Sequence, residues 1–213
     1  MNFKPADFFL GIVDFLGMLV PGALLVFLEA EWLRRIFGVS PLQPPWLVFA
    51  AAAYFLGHLL LALTELLNGP AQAVAPRIWF LRQAHVDAAG YETECKSLLG
   101  KAATGDTATN FHAALSFLRL QKVEAAAEID RHMAGYKLLR NLVAVFLFDL
   151  LLSLPRWPQT GPRIGSDFVL MLLFFLAFVR MLQWAYLLAF QYCVLIKEQK
   201  LQPPASPPLT TSK

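Results

Sequence analysis

Four blocks of apolar residues, separated by polar segments, constrain the fold of this chain more than any other feature. A helix needs roughly 20 apolar residues, with about 17 as a minimum, to cross the hydrocarbon of a bilayer. The second and fourth blocks are clearly long enough to cross the bilayer, and the third is just long enough. The first is long enough if Pro21-Gly22 is tolerated within a bundle. The sequence therefore predicts an all-α membrane protein with about four transmembrane helices in two hairpins; three spans is the alternative. The blocks run from Phe15 to Leu33, Trp46 to Leu67, Leu138 to Leu154 and Phe168 to Ile196.

Composition agrees with this class. Apolar residues make up 57% of the chain and charged residues 15%, against roughly 45–50% and 25% in soluble domains. The net charge of +3 is spread over several loops, which argues against a nucleic-acid partner. Cys95 and Cys193 do not form a disulfide framework, and both are expected to be free thiols.

The blocks divide the chain into four parts. Residues 1–67 form an N-terminal transmembrane hairpin, 68–137 a cytosolic helical segment, 138–196 a C-terminal transmembrane hairpin and 197–213 a disordered tail. Basic residues near the spans are more numerous on the side of the central segment, so both termini are expected to be cytoplasmic in a bacterial inner membrane. The first block is read as an uncleaved span rather than a signal peptide, because no small-x-small cleavage site follows it.

The central segment contains a long helix that is expected to start near Ala108, with Asp106-Thr107 as its cap, and to run into the third span. An apolar stripe with mostly four- and three-residue spacing follows this helix, and Lys122 lies inside it. The stripe can pack within the chain or, as a coiled-coil seam, on another subunit in a homo-oligomer. The segment can also bind a cytosolic protein. The stripe consists of Phe111, Leu115, Leu118, Lys122, Ala125, Ile129, Met133 and Tyr136.

An ionisable residue within an apolar span costs free energy, so each such residue is a candidate for function. They are Asp14, His58, Glu65, Asp149 and Arg180. Helix depth places Arg180 and His58 near the middle of the bilayer, with Asp149 closer to the outer face. Arg180 and Asp149 are therefore expected to form a structural ion pair between the last two spans. The alternative is that Arg180, His58 and Asp149 line a path for an ion.

The stretch from Asp14 to Gly22 is the most distinctive local pattern. Pro21 removes a backbone hydrogen bond and Gly22 permits close helix approach, which indicates a kinked, tightly packed span or a hinge. Residues 7–28 and the two-plus-two layout resemble certain small bacterial membrane proteins of unassigned activity, some encoded beside anti-phage defence genes. The resemblance implies a defence-associated membrane protein and assigns no catalytic residue.

No motif for membrane catalysis, a cofactor or a phosphate loop is present. His58, His85, His112 and His132 are too widely spaced to predict a metal site. The favoured hypothesis is a non-enzymatic, oligomeric inner-membrane protein that signals or perturbs the membrane. The alternatives are a transport or channel component, and a membrane enzyme that acts on lipid.

Overall fold

The computed structural model describes residues 5–30, 34–35, 46–100 and 105–201, and the elements in these ranges are all helical. Short 3₁₀ turns at Glu65–Leu67, Ala75–Arg77 and Leu154–Arg156 join successive helices. The predicted all-α class is thus confirmed. The α-helices are α1 (Pro5–Leu28), α2 (Trp46–Thr64), α3 (Asn68–Val74), α4 (Trp79–Leu99), α5 (Thr107–Gln121), α6 (Val123–Ser153) and α7 (Trp157–Leu201).

Helices α1 and α2 pack closely, and Gly22 is the reason. A Cβ atom added to Gly22 would lie 1.8 Å from the Ala53 carbonyl oxygen, and one added to Gly57 would lie 2.0 Å from that of Met18. Only glycine allows two helix backbones to approach this closely. The close contact expected at Gly22 is therefore present. Helix α1 continues through Pro21, and whether this position acts as a hinge stays a prediction.

The chain stays helical through Asn68-Gly69-Pro70, although glycine and proline commonly end a helix. The chain makes one 3₁₀ turn and continues as α3 from Asn68. Pro70 is tolerated because it lies in the first turn of α3, where a backbone N–H has no partner within the helix. Helix α4 does end at a glycine, Gly100, whose φ of 55° suits a residue without a side chain.

The expected continuous helix through Lys122 is broken there. Asp106 caps α5 as predicted, since its side chain accepts a hydrogen bond from the Thr109 N–H. Lys122 then adopts an extended conformation (φ −145°, ψ 89°), and α6 starts afresh at Val123. The Arg119 guanidinium lies 2.9 Å from the Asp130 carboxylate. Eleven residues of one helix would span roughly 16 Å, so the chain bends sharply at Lys122.

The apolar stripe on α5 and α6 is buried within the chain. Phe111, Leu115, Leu118 and Ile129 belong to one core with α4 and the C-terminal half of α7, and Met133 and Tyr136 pack against it. Ala125 is also buried, whereas Lys122 is exposed. The Phe111 ring lies 4.8 Å from that of Tyr186 on α7. The stripe therefore packs within one chain, the first of the two alternatives. It is not exposed as a seam for self-association, because α7 already covers it.

Helix α7 has 45 residues and two distinct halves. The large side chains from Phe168 to Leu173 are mostly exposed, whereas those from Phe178 to Ile196 are mostly buried with α4, α5 and α6. Gly165 and Ser166, residue types typical of turns, are part of this helix, and so are residues 197–201 of the expected tail. The rest of that tail lies outside the described residues.

We refer to α3, α4, α5, residues 123–137 of α6 and residues 178–201 of α7 as the head. Its core contains both cysteines. They are buried, and both are free thiols, as predicted. The remaining part of the bundle is the apolar half. Its small core consists of Leu60, Ala144 and Val145, packed against Leu24, Leu25 and Leu28.

Two helical stretches are long and apolar enough to cross a membrane, Phe49–Arg77 and Gly161–Ile196. Only 22% and 28% of their most apolar windows are buried, so neither is a fully buried core helix of a soluble protein. Helix α1 also contains an apolar stretch, from Phe15 to Leu28. The apolar end of α6, residues 138–153, is not among these stretches and contains Arg140 and Asp149.

Candidate functional site

A charged cluster lies in the apolar half, where α1, α6 and α7 meet. The Arg163 guanidinium on α7 forms an ion pair with Asp149 of α6, through Nη2 to Oδ1 and through Nε to Oδ2 at 3.3 Å. Nη2 also lies 3.5 Å from Oε1 of Glu29 and donates to the Leu28 carbonyl at 3.2 Å. Asp167, one turn further along α7, is 3.9 Å from Nε. We call these four charged residues the Arg163 cluster.

The geometry of the Arg163 cluster explains how charge is tolerated in apolar surroundings. Two hydrogen bonds from one guanidinium to Asp149 form the fork-shaped pairing that is strongest for arginine and carboxylate. Arg163 also satisfies the last carbonyl of α1, which has no partner within that helix. Asp149, Glu29 and Asp167 are buried, whereas the Arg163 side chain is 42% exposed. Arg163 therefore joins three helices at a point that solvent or headgroups can reach.

A second polar layer lies closer to the head. Asn141 of α6 is fully buried, accepts a hydrogen bond from Thr64 Oγ1 at 2.9 Å and donates to the Gly17 carbonyl at 3.2 Å. It thus joins α6 to α1 and α2. The neighbouring Arg140 is also buried and donates to Asn68 Oδ1 at 3.2 Å. Leu60, Ala144 and Val145 form an apolar layer between Asn141 and the Arg163 cluster.

The expected ion pair between Arg180 and Asp149 is not formed. Asp149 pairs with Arg163, and Arg180 lies exposed on α7, next to Met181, which packs against Gly135. The two residues belong to different parts of the bundle, because Asp149 lies in the apolar half and Arg180 in the head.

The other candidate residues do not join the Arg163 cluster. His58 is exposed on α2, with its Nδ1 3.2 Å from the Tyr54 carbonyl oxygen and its ring edge-on to that of Tyr54. Glu65 is exposed in the 3₁₀ turn after α2. Asp14 lies in α1, and its side chain is outside the described part of the chain. Of the four candidates whose side chains the structure describes, only Asp149 thus lies in the charged cluster.

The sequence analysis assigned no role to Arg163, Glu29 or Asp167. A usable signal was present, because Arg163 and Asp167 have the four-residue spacing of an ion pair on one helix. That signal was masked by Pro162, Gly165 and Ser166, which are typical of turns. Glu29 directly follows an apolar run and could have been recognised as a charged residue at a span end.

The chemistry open to these residues is that of ion pairing and proton binding. In the described ranges, no group of three or more His, Cys, Asp or Glu side chains is placed to hold a metal ion. No protein-family model, curated protein or solved structure matches the chain.

Proposed function

We propose that this chain is a four-span protein of the bacterial inner membrane that acts, without catalysis, as a signalling or membrane-perturbing effector. In this proposal the apolar half lies in the bilayer, and the head and both termini are cytosolic. The single observation that carries it is the continuity of α7. One uninterrupted helix runs from the Arg163 cluster to the core of the head.

The arginines of α7 suggest where the bilayer lies. Arg163 and Arg180 are separated by roughly 26 Å at 1.5 Å per residue, close to the hydrocarbon thickness of about 30 Å. Long basic side chains at both ends can extend toward the headgroups. Trp184, which is 43% exposed one turn beyond Arg180, then lies at the interface, where tryptophan is enriched.

The orientation follows from basic residues on the head side. Arg77, Arg82, Arg131 and Arg180 are exposed there, and cytosolic segments next to spans carry an excess of such residues. These side chains are suited to anionic headgroups of the cytosolic leaflet. A cytosolic partner for residues 68–137 remains part of the proposal.

A rigid connection supports a signalling role. Helices α6 and α7 pack side by side from the head to the apolar half: the Phe146 and Phe174 rings stack at 5.6 Å, and Tyr136 lies 6.1 Å from Phe178. A displacement of the head therefore moves the helices that hold Asp149 and Arg163. Self-association would use the exposed apolar half, since the α5–α6 stripe is covered. The defence-associated version rests on the resemblance of residues 7–28.

A transport function is the second candidate, and the buried charges of the Arg163 cluster favour it. The apolar layer between this cluster and Asn141 counts against a continuous polar path.

Overproduction in bacteria with a voltage-sensitive dye tests the proposal. The wild-type chain should depolarise the inner membrane. Arg163→Met should abolish this effect, because three buried carboxyl groups lose their partner. The matched control Arg180→Met also removes one arginine from α7, and it should stay active.

An inserted wild-type chain that leaves the membrane potential unchanged would exclude the membrane-perturbing version. A chain that loses activity with Arg180→Met but keeps it with Arg163→Met would instead favour a path lined by Arg180. Immunoblots of the membrane fraction show that each variant is inserted.

A further inference from the structure

The head contains a polar cavity next to the proposed membrane interface. It has a volume of about 150 Å³ and lies where α3, α4, α5 and α7 meet. Gln183 and Tyr186 of α7 lie one to two turns beyond Arg180. The surrounding core is apolar, so convergent hydrogen-bonding groups here are unusual. The polar lining residues are Gln72, His85, Glu92, Thr107, Gln183 and Tyr186.

Several polar groups in this cavity have spare hydrogen-bonding capacity. Gln183 is buried, and only one end of its amide is engaged, by the His85 ring at 3.3 Å. Tyr186 is also buried, and its hydroxyl oxygen accepts from Gln72 Nε2 at 3.0 Å, which leaves its own O–H available as a donor. A molecule in the cavity can accept hydrogen bonds from the Gln183 amide N–H and from the Tyr186 O–H.

The charge of the cavity wall restricts what can bind. Glu92 is its one formally charged lining residue in the described part of the chain. Its carboxylate is already compensated, because it pairs with Lys96 at 3.0 Å and accepts hydrogen bonds from Thr107 and Asn110. An anion would meet Glu92 without a free cation, and a cation would compete with Lys96. The site therefore suits a neutral molecule.

We propose that this cavity binds a small neutral molecule that both donates and accepts hydrogen bonds, such as an amide. The size follows from the volume, because a cavity of about 150 Å³ accommodates a ring of six heavy atoms. The contacts would be with the free end of the Gln183 amide, the Tyr186 hydroxyl and the His85 ring. This inference stands apart from the proposed effector activity, since binding requires only the folded head.

Three probes of equal size test it on the full-length chain in nanodiscs: neutral 2-pyrrolidinone, anionic butyrate and cationic pentylamine. Saturation-transfer NMR should detect binding of 2-pyrrolidinone and of neither ion. Gln183→Leu should weaken binding about tenfold, as expected for lost hydrogen bonds. Ala89→Leu, at the exposed edge of the cavity, should also weaken it by obstruction, and it keeps the test valid if Gln183→Leu does not fold.

Glu94→Gln on the exposed face of α4 is the control and should bind like wild type. The proposal is wrong if 2-pyrrolidinone does not bind, which would mean that the cavity holds water alone. It is equally wrong if binding is unchanged in both lining variants. Preferential binding of butyrate or pentylamine would overturn the assignment to a neutral ligand.

Discussion

The two halves of α7 have a similar apolar content and opposite surroundings. Phe168, Val169, Leu170, Leu172 and Leu173 are 37–57% exposed, whereas Phe178, Val179, Ala185, Ala189 and Phe190 are 0% exposed. The head buries its part of the helix with α4, α5 and α6. The apolar half leaves its part uncovered, as a bilayer requires. Apolar content alone thus does not show whether protein or lipid surrounds a helix.

The largest expected effect comes from the buried half. Phe190→Ala should destabilise the head by about 3–5 kcal/mol, because it leaves a cavity in a packed core. Phe168→Ala, the matched change on the exposed half, should have little effect on the head. Hydrogen-exchange mass spectrometry in nanodiscs measures the two regions separately. If both variants lost similar hydrogen-exchange protection in the head, the two halves of α7 would not differ in their surroundings.

The Arg163 cluster should give an intermediate effect in the apolar half. Arg163→Met should cost at most about 3 kcal/mol, because the buried Asp149 carboxylate loses its partner while Arg163 itself is half exposed. Arg180→Met should cost much less, because Arg180 is exposed. Adding Asp149→Asn to Arg163→Met should recover part of the loss. Thermal unfolding in detergent measures all three, and additive losses in the double variant would mean that the two residues do not interact.

The smallest effect is expected at the α5 cap. The hydrogen bond from the Thr109 N–H lowers the pKa of Asp106, so the ionised form stabilises the head. This contribution is complete above the unfolded-state pKa of about 3.9 and is lost as the pH falls through the lower folded-state value. Asp106→Asn keeps a capping side chain and should remove this part of the acid sensitivity. Thermal unfolding between neutral and acidic pH compares the variants, and identical pH profiles would exclude the contribution.

Much of the helical pattern could be predicted from local sequence. The blocks at Trp46 and Leu138, the Asp106 cap and the apolar stripe from Phe111 to Tyr136 all follow from spacing and composition. The close approach of two helices at Gly22 was also visible, because glycine in an apolar helix has few other uses. These features depend on residues that are near each other in the chain.

The features that sequence missed depend on distant contacts. Lys122 has neither glycine nor proline beside it, and the bend there is accompanied by the Arg119–Asp130 pair between the two helices. The division of α7 was hidden because leucine and phenylalanine serve equally in a lipid-facing surface and in a protein core. Arg163 was missed because Gly165 and Ser166 are typical of a turn, and because its partners Asp149 and Glu29 lie in other helices.

Spin-label accessibility along α7 tests the central claim most directly. Nitroxides are placed at Leu173 and Leu195, both exposed, in a chain in which Cys95 and Cys193 are replaced by alanine. In nanodiscs the label at Leu173 should collide mainly with oxygen, which concentrates in lipid. The label at Leu195 should collide mainly with a water-soluble nickel chelate. Lipid-like accessibility at Leu195, or water-like accessibility at Leu173, would contradict the division of α7 between bilayer and head.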